Sequence, residues 1–276
     1  MKSNSVYLFV GLIVASFAAQ AGVMIEFVKR NADTGKEEPL QSMWVQNGMA
    51  RTEGSRGSSE STVSIFKDDA MYLLQAQSKS YRVMDKATIE RMAGTMNDAM
   101  AKMRAQMEKM PPEQRAMMEN MMKQRGGMIG MNGPKKQVIY DVKPTGRTET
   151  VNGKSCKLWD TTRDGVLSEQ LCVVPLSAMP GSDEVIAVSK KMAAMFEKFS
   201  AQMRAQMDNI MRQSSTQLAK LNGFPIMTRS YENGVLEPEQ FIVKTWKQQA
   251  VDAGKFAIPS DYTKKEMPQM GKPMGK

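Results

Sequence analysis

The sequence predicts an α+β protein in which an antiparallel meander of strands is interrupted by helical segments. Three observations lead there. Short runs rich in β-branched and aromatic residues flank turn pairs such as Asn47-Gly48, Asn152-Gly153 and Asn233-Gly234, and Asn-Gly is the strongest short-range hairpin signal. Other stretches repeat apolar residues every three or four positions, the period of one helix face. The chain of 276 residues is 41% hydrophobic and 24% charged, ordinary for a folded protein and too apolar for a disordered one.

The chain opens on MKSNSVYLFVGLIVASFAAQA. Lys2 gives a positive start, Val6 to Phe17 an apolar run, and Ala19-Gln20-Ala21 a small-x-small cleavage signal. Residues 1–21 therefore read as a secretory signal peptide cut after Ala21. The apolar run is shorter than the ~20 residues that span a bilayer, which argues against a membrane anchor. No cysteine follows it, so no lipid anchor is expected. The expected location is periplasmic. The formal charge of +9 loses only Lys2 on cleavage, and the remainder favours peripheral contact with anionic headgroups or acidic partners. Nucleic acid is not an expected partner of an exported chain.

The strands follow in order. Gly22 to Lys29 is an apolar-rich strand. Met43 to Gln46 and Met49 to Thr52 flank Asn47-Gly48. Thr62 to Phe66 and Met71 to Leu74 flank the Lys67 to Ala70 turn, and Ser80 to Met84 comes after Gln75 to Lys79. A second set begins with Gln137 to Val142 and passes Asn152-Gly153 into a pair of strands around Arg163-Asp164-Gly165. The last hairpin joins Ile226 to Tyr231 with Gln240 to Lys247. The tail over residues 263–276 lacks periodicity and is expected to be mobile, as is much of Arg51 to Ser61 with its sequence RTEGSRGSSES. Residues 22–262 are expected to form one domain.

Helical insertions are expected near residues 86–124 and 183–221. The first runs from about Lys86 to Met110, where Pro111-Pro112 breaks it. A short helix over Glu113 to Gln124 follows and ends at Gly126-Gly127. The third spans Asp183 to Leu221 and stops near Asn222-Gly223, with Pro225 beyond.

Cys156 and Cys172 sit in an exported chain, where an internal disulfide is the default. A three-residue turn with Gly165 in the left-handed bulge position would place the two cysteines directly opposite each other, within disulfide reach. No CxxC pair is present to suggest a redox-active site.

The chain carries 28 methionines. Met92, Met96, Met100, Met103 and Met107 lie on one helical face, and Met192, Met195, Met203 and Met207 repeat the pattern. Such stripes are first of all core faces. They also suit an adaptable apolar surface, because the unbranched thioether repacks at little cost; acyl chains or amphipathic segments fit such a face. A separate group, Met117, Met118, Met121 and Met122 with Met128 and Met131 in a glycine-rich stretch, offers soft donors for Cu(I) or Ag(I).

Histidine is absent and cysteine occurs only twice. That removes Ser–His–Asp and Cys–His nucleophiles, histidine-ligated zinc or iron and four-cysteine metal sites. No Walker loop, GxGxxG or GxSxG occurs. Asp68-Asp69, Asp164 and Asp183-Glu184 fit turn and helix-start roles. The composition thus points to a non-enzyme without a cofactor.

The segments NGMARTEG, TVSIFKDDAMYLLQAQSKSYRVMDK, GRTETVNGKSCKLWDTTRDG, LNGFPIMTRS and GKFAIPSDY resemble exported domain-of-unknown-function proteins related to the LolA/LolB periplasmic lipoprotein-carrier fold. The resemblance covers most of Gly22 to Tyr262. It implies a curved antiparallel sheet, an open half-barrel, partly covered by helices, whose concave face binds acyl chains in the carrier relatives. Here the cover would be the long methionine-rich helices. The expected function is a periplasmic binding protein for a lipid chain or an apolar polypeptide segment. The alternatives are a methionine-rich Cu(I)/Ag(I)-binding protein or a structural interaction module.

Overall fold

A computed structural model describes residues 21–56, 60–115, 117, 139–207 and 221–267. Its first part is a meander: β1 (Gly22–Asn31), β2 (Glu37–Gln46), β3 (Met49–Arg56), β4 (Glu60–Lys67), β5 (Ala70–Gln75) and β6 (Ser80–Met84). Helix α1 (Lys86–Glu108) follows, then β7 (Tyr140–Val151), β8 (Lys154–Arg163) and β9 (Val166–Pro175). Helix α2 (Ser182–Met207) leads on to β10 (Gly223–Glu232), β11 (Val235–Gln249) and the short β12 (Thr263–Lys264).

All twelve strands belong to one open sheet in the order β12-β6-β5-β4-β3-β2-β1-β11-β10-β9-β8-β7. Among the described strands only the β12–β6 pair is parallel. The fold is α+β. Tight turns make the meander: Asn47-Gly48, Asp68-Asp69, Asn152-Gly153, Asp164-Gly165 and Asn233-Gly234 all place both central residues at positive φ. That geometry matches the natural twist of a hairpin. Asp68 and Asp69 manage it without a glycine, as short polar side chains tolerate the left-handed region.

Helix α1 begins where the Asp85 carboxylate accepts the Thr88 N–H at 2.8 Å, satisfying one of the free amides of the first turn. It stops before Pro111. Beyond the break, the Arg115 guanidinium donates to the Met107 and Glu108 carbonyls at 3.1 and 2.8 Å, covering acceptors the helix end leaves free.

Two faces of the sheet carry separate cores. The face with the largest core, called here the inner face, gathers Val23, Ile25, Val45, Phe66, Cys172, Val174 and Ile242 with Val185 and Val188 of α2. On the other face, Ile65 and Leu74 are covered by Val251 and Phe256 of the β11–β12 connection. A third cluster on that outer face joins Val142, Leu171 and Val173 to Leu221.

Four expectations are corrected. Glu53 to Arg56, in the stretch expected to be largely mobile, continue strand β3, and Glu60 and Ser61 begin β4; cross-strand pairing supplies the order that the local sequence lacks. Thr263 and Lys264, placed in a mobile tail, form β12. The disulfide joins Cys156 to Cys172 with Cα atoms 5.3 Å apart, but the two do not face each other. The turn uses only Asp164 and Gly165, the register shifts between Thr161 and Thr162, and Cys172 faces Leu158. The bond therefore runs diagonally on one face. Finally, among the described residues the sheet has no cover of long methionine-rich helices. The main helix whose ends are both described is α1, of 23 residues, and it touches β6 and α2; α2 meets β1 and β2, and the described side chains it packs on the inner core are Val185, Val188, Met192 and Met195. Much of the inner core is instead closed by the sheet's own strands.

Candidate functional site: the inner face of the sheet

The pairing register lines up the inner face in rows. One row is apolar: Leu158, Cys172, Met227, Ile242 and Val28 are successive partners on β8, β9, β10, β11 and β1. The row two residues further along the same strands is polar. Asp160, Gln170, Arg229, Gln240, Arg30 and Glu37 pair in turn across six neighbouring strands. Period-two alternation puts both rows on one side.

The polar row is held by its own contacts. Gln170 donates to Asp160 at 2.9 Å and accepts from Arg229 at 3.0 Å. Arg229 grips Glu149 of β7 with both terminal nitrogens, at 2.9 and 2.7 Å. Arg30 and Lys244 converge on Glu37, and their hydrogen bonds, Lys244 first, hold its carboxyl below the ordinary glutamate range. Such two-pronged pairs are stronger and more directional than single ones.

These contacts also report bending. Asn152, in the β7–β8 turn, donates to the Val243 carbonyl of β11 at 3.0 Å and accepts from Arg30 of β1 at 3.1 Å. In a flat sheet β8 and β11 would stand roughly 14 Å apart, three strand spacings. An asparagine side chain cannot span that, so the β7–β8 end curls over the inner face. Val151 beside it is buried in the inner core. The apolar row from Leu158 to Val28 thus lies beneath the hairpin, closed off from solvent.

The other half of the inner face differs. Across β2 to β6, Met43, Thr52, Ser64, Leu73 and Arg82 are successive partners, and Met71 and Met84 lie in the next row beside Phe66. Phe66 is buried, whereas Met43, Met71, Leu73 and Met84 are half-buried. Met43 packs on the same core as Met192 and Met195 of α2. On the sheet, then, Met43, Met71, Leu73 and Met84 are half-buried on one face with the hydroxyls of Thr52 and Ser64 among them and Arg82 at the edge, while Met192 and Met195 of α2 pack on the inner core near β1 and β2.

Of the stripe on α1, Met107 is buried and Met92 and Met103 are half-buried. Met192 and Met195 are half-buried on α2. The side chains of Met96, Met100, Met203 and Met207 lie outside the described residues, as do Met118, Met121, Met122, Met128 and Met131. Met117 is exposed, at 69%. Among the described residues, no cluster of three or more histidine, cysteine or acidic side chains is placed to hold a metal, and no helix is long and apolar enough to cross a membrane.

Sequence reading missed the sheet methionines Met43, Met71 and Met84, with Leu73. Their signal was the alternation along each strand, which places them on one face once the register is known. The polar row was not legible at all, since its members come from six strands and each is unremarkable locally.

One more group stands apart on the outer face. Glu169 is flanked across the strands by Thr161 and Ser230. Burial alone pushes its carboxyl up, and the Thr161 hydroxyl beside it is buried without a hydrogen-bond partner.

No family model matches the chain, and no curated protein does. Among solved structures it is similar to the crystal structure of an uncharacterized conserved protein from Thermus thermophilus. The match has 7% identity, a TM-score of 0.40 and coverage of 90% of this chain and 91% of that one.

Proposed function

We propose that the protein is a non-enzymatic periplasmic binding protein with a LolA-like half-barrel, and that its ligand is a lipid chain or an apolar polypeptide segment. The observation that carries this reading is the group of half-buried apolar residues on the inner face, Met43, Met71, Leu73 and Met84, on a face whose core also holds Met192 and Met195 of α2. A methionine-lined apolar surface next to a packed core accommodates ligands of varied shape, since each thioether repacks independently. The curled β7–β8 end is closed by its own packing, which leaves the half-buried residues of the β2–β6 half as the ligand surface in this reading. The signal-peptide pattern supports export.

The experiment is native mass spectrometry of the purified mature protein, paired with organic extraction and lipid analysis. The reading predicts co-purifying lipid or added fatty acid bound at about one molecule per chain, and loss of most of that binding in Leu73→Asp. A carboxylate on that surface makes it hostile to apolar ligands. Repeated absence of any bound apolar ligand, or full binding in a folded Leu73→Asp variant, contradicts it.

A further inference from the structure

The sulfur chemistry of the chain is unusually one-sided. Its two cysteines are joined in a disulfide, which leaves no free thiol. Against that stand 28 methionines, so thioethers are the oxidisable sulfur of this protein. Their surroundings differ. Met179 and Met227 are sealed, at 1% and 2% exposure. Met117 is open to solvent and belongs to no core cluster among the described residues. Met192 and Met195 combine both properties: they are half-buried, hence reachable, and they pack against the inner core.

They are also the last described side chains by which α2 holds the sheet. The start of the helix is fastened by polar bonds. Glu184 accepts the Gly48 N–H at 2.7 Å, and the Trp246 indole N–H donates to the Pro180 carbonyl at 2.8 Å. Val185 and Val188 bury the next turn. Beyond Val188 the described contact with the inner core is made by the two thioethers alone.

We propose that Met192 and Met195 form an oxidation-responsive clasp: conversion of their thioethers to sulfoxides undocks this part of α2 from β1 and β2. The oxidant class is a hypohalous acid. Each thioether reacts with one hypochlorous acid to give one sulfoxide, one chloride and one proton. Sulfur loses two electrons, chlorine gains them, and the oxygen ends on sulfur. The sulfoxide is polar and branched at sulfur, so it needs hydrogen-bond partners that the inner core does not offer. Sulfoxide reduction would restore the clasp. The inference concerns helix docking and does not require the ligand reading, so either can fail without the other.

The test is stepwise addition of hypochlorous acid to the full mature protein, with peptide mapping of sulfoxides and hydrogen exchange of residues 182–195. Oxidation of Met117 should leave that exchange unchanged. Oxidation of Met192 and Met195 should raise it by about tenfold or more, while Met179 and Met227 stay reduced. Met192→Leu with Met195→Leu keeps the apolar volume and should abolish the response. If that pair fails to fold, enzymatic sulfoxide reduction of the oxidised wild type must return exchange to its starting rate. Sulfoxides at both positions with unchanged exchange overturn the proposal. So does an undiminished response in the folded leucine variant, oxidation of Met179 and Met227 before the clasp, or reduction that leaves exchange raised.

Discussion

Glu169 illustrates how a single side chain records a cost the fold tolerates. Its carboxyl is raised by burial, with no charged neighbour contributing. A raised carboxyl pKa means the folded state holds the proton more tightly than the unfolded chain does. The ionised form therefore costs stability above the raised value, and the cost disappears as pH falls toward the ordinary range. Glu37 behaves oppositely: its depressed carboxyl contributes stability above the ordinary range, lost as pH falls through the depressed value. Glu169→Gln should accordingly raise Tm at pH 8 by about 1–3 °C, a small gain because the carboxylate keeps some solvent contact. The gain should vanish at pH 4. Thermal melts across that range check it, and a gain that grows on acidification would refute the assignment.

At the scale of elements, the β7–β8 hairpin is the part whose position depends most on side chains. It is joined to the rest of the sheet through β9, yet its tip reaches β11 and β1 through Asn152, and its shaft reaches β10 through the Glu149–Arg229 pair. Arg229→Ala should leave Glu149 and Gln170 without their main donor and cost about 2 kcal/mol, read by urea denaturation. The same variant should increase amide exchange across Val151 to Cys156 more than across β3 to β5. Equal exchange in both regions would show that the pair does not hold the hairpin down. The hairpins themselves were legible, because Asn-Gly and Asp-Gly turns announce themselves locally. Their registers were not. The shift at Thr161/Thr162 moved Cys172 opposite Leu158, and bulges of this kind are set by how strands stack rather than by the residues in the turn. The helix start at Asp183-Glu184 was readable from its acidic pair, whereas the Asp85 cap passed unnoticed and the cap supplied by Arg115 comes from beyond a proline break and leaves no local trace.

The whole molecule is an open sheet whose inner face is divided. One half is rolled up beneath its own hairpin and finished by a polar row; the other half, over β2 to β6, keeps half-buried methionines and a leucine. That division could not be read from sequence, since both halves share the same alternation of apolar and polar residues. What separates them is long-range: Asn152, Arg229 and Glu149 meet only after the strands pair. The methionine stripes were visible as periodic faces, but periodicity alone cannot distinguish a face that fills a core from one that borders an opening.

The central claim is that apolar ligands sit on the β2–β6 half of the inner face. Photo-crosslinking with a fatty acid carrying an aliphatic diazirine, followed by peptide mapping, tests this most directly. Adducts should concentrate on the peptides holding Met43, Met71 to Leu73, Met84 and Met192 to Met195, and be competed by unlabelled fatty acid. Labelling spread evenly over the surface, or confined to the outer face around Trp159 and Phe241, would contradict the account.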